Sequence, residues 1–176
     1  IEVSPTEPFR LSFQQRYSFE QGGGVNWDGG VVELSSDGGA TWTDVGASAA
    51  PGYTGTITTT SGNPLGGRSG WIGASVGYPA FVPTTLDLGT AYAGQTIRIR
   101  FRHGADAGVG GPGWWVDDLL VAGAAAPPFL GLAPEPGTCT PLAAGDAPPA
   151  QVTLALAGAH PARGVARLRF ALPSTR

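Results

Sequence analysis

The stretch Gly113-Trp114-Trp115-Val116-Asp117-Asp118-Leu119-Leu120-Val121 decides how this chain is read. Aromatic and branched apolar residues on both sides of two adjacent carboxylates predict a strand. An unpaired charge buried in such a strand costs several kcal/mol, so Asp117 and Asp118 call for compensation. Either a hard cation held by oxygen ligands or Arg and backbone N–H groups at a sheet edge would supply it. The strand reads as the closing strand of an antiparallel β-sandwich, with nothing catalytic beside it.

Working outward, Leu11, Phe13, Tyr17 and Phe19 alternate with Ser12, Gln14, Arg16 and Ser18, which predicts a half-buried strand over Leu11 to Glu20. Val31 to Ser35 and Thr41 to Val45 flank Ser36-Asp37-Gly38-Gly39-Ala40, where Asp and Gly tolerate the positive φ of a tight hairpin. Further strands are expected at Trp71 to Ser75, Thr84 to Leu88 and Thr96 to Arg102, with a short edge strand at Thr56 to Thr60. In Thr96 to Arg102, Ile97, Ile99 and Phe101 face one way and Arg98, Arg100 and Arg102 the other. The polar stretch from Gly46 to Gly70 reads as a long loop, functional or mobile. No apolar period of 3.6 is sustained, so the expected class is all-β, an antiparallel β-sandwich over 1–123. A Pro/Ala/Gly-rich linker over 124–150 and a short two-strand β tail over 151–176 follow.

Composition narrows the function. Glycine (29) and proline (16) are abundant and charged residues make up only 13%, which suits a loop-rich β domain. The net charge of −3 carries no basic cluster, so nucleic acid is not an expected partner. The apolar run from Leu119 to Leu132 is broken by Pro127 and Pro128, and no membrane insertion is expected. The chain contains no Met, which predicts a processed product or an excised fragment. The single Cys139 excludes an internal disulfide framework, and it and the two histidines, His103 and His160, read as noncatalytic.

Leu11-Ser12-Phe13, Tyr17-Ser18-Phe19-Glu20, the run from Asp28 to Trp42, Tyr92-Ala93-Gly94-Gln95 and Gly113-Trp114-Trp115-Val116-Asp117-Asp118 together resemble one module. It is the MAM-like jelly-roll domain appended to secreted bacterial proteins, including metallopeptidases of the immune-inhibitor-A and fungalysin types. The run from Ala159 to Pro173 resembles the opening of an immunoglobulin-like C-terminal sorting module. The family's jelly roll begins with a strand upstream of Ser4-Pro5, and the sorting module needs more strands, so both modules are expected to be truncated here. The resemblance implies an accessory role without chemistry. The sequence agrees, having no His-Glu-x-x-His, no Gly-x-Ser-x-Gly and no phosphate-binding glycine loop.

The resemblance also implies a structural calcium joining a Glu near an N-terminal strand to an Asp of the closing strand. The matching residues are Glu20, Asp28, Asp117 and Asp118. The alternative is that Asp117 and Asp118 accept hydrogen bonds from Arg or loop N–H groups. Of Trp27, Trp42, Trp71, Trp114 and Trp115, a sandwich places most in core or rim, and Trp71 beside the long loop is the best exposed candidate for stacking on a sugar. Arg98, Arg100 and Arg102 form a row that either binds an anionic polymer or pairs with cross-strand acids.

The expected function is that of a noncatalytic accessory β-sandwich of a larger secreted bacterial protein, extracellular or at the cell surface, serving adhesion, binding or architecture. The alternatives are a self-assembling filament subunit joined by strand exchange and a carbohydrate-binding module. Expected partners are other domains of the parent protein, neighbouring copies of the chain, or polysaccharide.

Overall fold

A computed structural model describes residues 1–128 and, beyond them, the backbone of two short strands. Cys139, His160 and most of the linker expected over 124–150 lie outside the described residues. The strands are β1 (Phe9–Ser18), β2 (Gln21–Gly22), β3 (Val25–Asn26), β4 (Gly29–Ser35), β5 (Thr43–Asp44), β6 (Ala49–Ala50) and β7 (Gly55–Thr56). They continue as β8 (Ser69–Gly70), β9 (Val82–Gly89), β10 (Arg98–Gly104), β11 (Gly113–Ala122), β12 (Thr153–Leu156) and β13 (Leu168–Ala171). Among the described residues the one helical element is a 3-10 turn at Gly46–Ser48, and the fold is all-β and sandwich-like. The chain divides into two compact units, Ile1–Gly131 and Leu132–Arg176. In the second, β12 and β13 pair antiparallel.

In the first unit, one sheet has the order β11-β1-β9-β6 and the other β10-β4-β5, with antiparallel pairing throughout. The alternation in β1 is realised: Phe9, Leu11, Phe13 and Tyr17 are buried, and Phe19 follows them into the core. From the other sheet, Val32 and Leu34 point into the same core, where Ile99 and Phe101 of β10 pack half-buried. Gln15 is a polar residue on this inner face, 1% exposed. Its amide is used at both ends, donating to Thr84 Oγ1 at 2.9 Å and accepting from Trp114 Nε1 at 3.0 Å. Burial of the polar group is thereby offset.

β4 is buried along its whole length, on both faces. Its inner face is sandwich core. Its outer face is roofed by the long segment expected to be a polar loop: Ile57 and Leu65, both 0% exposed, close over Val31. The β7–β8 pair and the bond from Ile57 N to Arg68 O hold the roof together.

The expected strand over Trp71 to Ser75 is a crossing segment instead. Trp71 bridges Gly30 of β4 and Ala74 bridges Ser18 of β1, so these few residues tie one sheet to the other. Residues 1–4 make a second tie, because Glu2 bridges Thr96 and Val3 bridges Ala124, with Val3 only 2% exposed.

Gly30 lies on the inner face of β4, where a Cβ would come within 2.7 Å of the Trp114 ring and 3.2 Å of Phe19. The glycine is required for space. Gly30→Ala should destabilise the domain by about 2 kcal/mol through overpacking, read as a lower urea midpoint at unchanged slope.

Candidate metal centre

Three carboxylates converge at one end of the sandwich. Glu20 follows β1, Asp28 immediately precedes β4, and Asp106 lies two residues beyond β10. The register explains the meeting, since Gly104 pairs with Gly29 and the residues flanking that pair must be neighbours. One oxygen from each of Glu20, Asp28 and Asp106 lies within 4.8 Å of the others. Asp28 is 1% exposed and accepts the Asp106 backbone N–H at 3.1 Å. Asp106 in turn accepts from Gly108 N at 2.7 Å, which curls the loop around its own carboxylate. The Glu20 carbonyl receives the N–H groups of Trp27 and Asp28, closing the β2–β3 hairpin over the group.

No Arg forms an ion pair with any of the three among the described residues. The Oε2 of Glu20 is shut off from water without a hydrogen-bond partner. Burial raises the Glu20 pKa, and the charges of Asp106 and Asp28 raise it further. Like charges crowded around an orphaned oxygen form the donor set a hard, oxygen-seeking cation takes, with carbonyls and water completing six to eight ligands.

Two residues expected in this set, Asp117 and Asp118, are elsewhere. Both are exposed on β11, an edge strand whose Gly113 end is the one that pairs with Ser18 near Glu20. Asp117 pairs with Gln14, about 13 Å farther along the strand at the usual rise. A bulge accounts for the doubled acid. The register slips between Ser12 and Gln14, and Asp118 takes φ 50° with its N–H donating to Asp117 Oδ1 at 2.8 Å. Both carboxylates meet water, and the compensation that a buried pair demands is not needed. Asp106 was not singled out in the sequence, where it sits in a glycine-rich loop. Its offset from the end of β10 was the signal available.

Within the expected ligand face, the placement of Trp71 is also corrected. Trp71 is 1% exposed and forms the centre of the core, with Phe13 at 6.3 Å, Tyr53 at 4.9 Å and Trp114 at 5.5 Å between ring centroids. It is unavailable for stacking on a sugar. Trp42 and Trp115 are nearer the surface, but guanidinium groups sit over their rings: Arg100 at 4.0 Å and Arg16 at 4.6 Å. Arg98, Arg100 and Arg102 do share the outer face of β10. There they flank Glu33, 3% exposed at the centre of β4. Arg68 from the roof and Arg100 each reach a Glu33 oxygen at 2.6 Å, and Arg68 also binds Asp44 at 2.7 Å. Burial alone would raise the Glu33 pKa, but the hydrogen bonds and charges of Arg68 and Arg100 outweigh it and hold the carboxyl below its usual range.

His103 is exposed and its ring stacks on Phe19 at 5.1 Å. The turn reading of Asp37 is realised, its carboxylate accepting from Thr41 Oγ1 at 2.6 Å and Ser35 Oγ at 2.7 Å. A shallow hollow of about 490 Å³ opens beside Asp44, Gly46 and Tyr53, where the Tyr53 hydroxyl accepts from Val32 N and donates to Asp44. No helix of the described residues is long and apolar enough to cross a membrane. No protein-family model, curated protein or solved structure matches the chain.

Because the folded pKa of Glu33 is depressed, its contribution is fully present above the unfolded value of about 4.3 and is lost as pH falls through the folded value. Glu33→Gln should cost about 3 kcal/mol at neutral pH, the low end for breaking a buried pair because both arginines reach water. The cost should shrink in acid, as urea titrations of both proteins at neutral pH and near pH 3 would show.

Proposed function

We propose that this β-sandwich is a noncatalytic module of jelly-roll type, part of a larger secreted protein, in which Glu20, Asp28 and Asp106 hold a structural calcium ion. The orphaned, water-excluded Oε2 of Glu20 beside two further carboxylates carries the reading. A metal-free folded state leaves this repulsion uncompensated. A divalent cation reverses its sign and fixes the β2–β3 hairpin and the loop after β10 against the end of β4.

The accessory role is supported by how the other polar side chains are used. Gln15, Glu33, Asp37 and Asp44 are committed to hydrogen bonds or ion pairs that hold strands, turns and the roof in place. The resemblance to MAM-like domains of secreted bacterial proteins points the same way, with Asp106 taking the place expected for the Asp117-Asp118 pair. Secretion supplies the millimolar calcium that a site of three carboxylates needs.

Thermal unfolding tests the reading. Calcium at about a hundredfold excess over its Kd should raise the Tm of the full chain by several degrees relative to chelator. A carboxyl with a raised folded pKa destabilises the fold above that value and ceases to do so as pH falls through it. In chelator at neutral pH, Glu20→Gln should therefore unfold at a higher temperature than the unsubstituted chain, and its advantage should fade in acid. In calcium the order should invert. Equal Tm values with calcium and chelator would remove the proposal.

A further inference from the structure

We infer that the outer face of β10 is a docking strip for an acidic polysaccharide, with Arg98 and Arg102 as its anchoring cations. The inference starts from a charge imbalance around Glu33. Its single carboxylate is approached by three guanidinium groups, Arg68 and Arg100 at 2.6 Å and Arg102 at 3.7 Å. Arg68 has a second anion in Asp44. Arg100 is held from its other side by the Trp42 ring. Among the described residues Arg102 has only the long contact, to an oxygen that Arg68 already occupies. Arg98 has no ion-pair partner among the described residues and lies exposed where the β4–β5 turn places Gly39 and Trp42. Of the four guanidinium groups on this face, only Arg68 and Arg100 make close ion pairs among the described residues.

The excess is ordered. Arg98, Arg100 and Arg102 stand opposite Ser35, Glu33 and Val31, so all three leave the same face of β10 at every second residue. At the usual rise, Arg98 and Arg102 are about 13 Å apart along the strand. The roof reaches the Arg102 end of this face and leaves the Arg98 end open: Arg98 is exposed, and the side chain of Arg102 is 37% exposed. Like charges converging on one buried anion repel one another, and an added anion beside Arg102 or Arg98 relieves that repulsion. The planar guanidinium fork is the side chain best matched to a carboxylate.

An extended polymer with one carboxylate on each sugar can lie along the strand and meet both arginines. A duplex nucleic acid is the less suitable occupant, since two uncommitted cations neutralise few phosphates and the acidic remainder of the chain repels the rest. The Arg strip and the carboxylate centre share no residue. Loss of calcium binding leaves this inference standing, and the reverse also holds.

Affinity electrophoresis and calorimetry of the full chain with soluble polygalacturonate test it, with a neutral glucan of equal length and a DNA duplex as comparisons. Polygalacturonate should bind, and the neutral glucan should not. Binding should weaken steeply between about 0.05 M and about 0.3 M salt. Arg98→Gln and Arg102→Gln should each weaken it by about fivefold and the double variant by at least about twentyfold, with Tm unchanged. Arg10→Gln, which breaks the Arg10–Asp87 pair on the other sheet, should leave it unaltered. Equal binding by the double variant, equal binding of the neutral glucan, or tighter binding of the duplex would each overturn the inference.

Discussion

The structure turns on Glu33. A carboxylate 3% exposed in the middle of a strand buried on both faces is intolerable alone, at a cost of several kcal/mol. One of its partners, Arg68, comes from a segment some thirty residues on, so the stretch between β5 and the crossing at Trp71 must fold back over the sheet for the charge to be satisfied. The same movement brings Ile57 and Leu65 onto Val31. Ion pair and apolar contact therefore depend on one another. Without the roof, Val31 and Glu33 would both face water. Without Glu33, Arg68 and Arg100 would lose their shared anchor.

The two sheets consequently differ in their outer faces. The β10-β4-β5 sheet carries a second layer, whereas the other sheet meets solvent with ordinary cross-strand chemistry, such as the Ser12–Thr85 hydroxyl pair at 3.1 Å and the Arg10–Asp87 bridge at 2.8 Å. Holding them in register are Trp71 to Ser75 and residues 1–4, which each bridge strand ends that belong to different parts of the fold. Trp71 is thus at once a backbone tie and the largest fully buried side chain. Its indole N–H has no hydrogen-bond partner among the described residues, a cost borne for filling the space between Phe13, Tyr53 and Trp114.

How much of this was legible in the sequence follows from the range of the signal. Period-2 alternation is local, and β1, β4, β9, β10 and β11 were found within a few residues of their ends. The Asp37-Gly38-Gly39 turn was equally readable, since its hydrogen bonds span at most four residues. The roof was not, because Ile57 and Leu65 sit singly among Thr, Gly and Pro and become core only against a strand that precedes them by more than twenty residues. For the same reason Trp71, beside that stretch, reads as the best exposed candidate among tryptophans otherwise expected in core or rim. In the acidic centre, Glu20 and Asp28 were identified by resemblance. Asp106 required knowing that β10 pairs antiparallel with β4. The Asp117-Asp118 pair entered the set by resemblance, and its exposed place on β11 depends on a bulge, a two-strand property invisible in one strand.

That bulge has a bearing on how copies of the module behave at close quarters. β11 forms an edge of its sheet, ten residues long and bearing Leu119 and Leu120 at 42% and 67% exposure. A flat apolar edge of that length is a template for another chain's strand. Midway along it, however, the backbone kinks at Asp118 and two negative charges stand side by side, so an incoming strand would lose ladder bonds and meet repulsion at the same point. The residues that first suggest a ligand site thus blunt an exposed edge, which makes β11 a poor template for the strand of another copy.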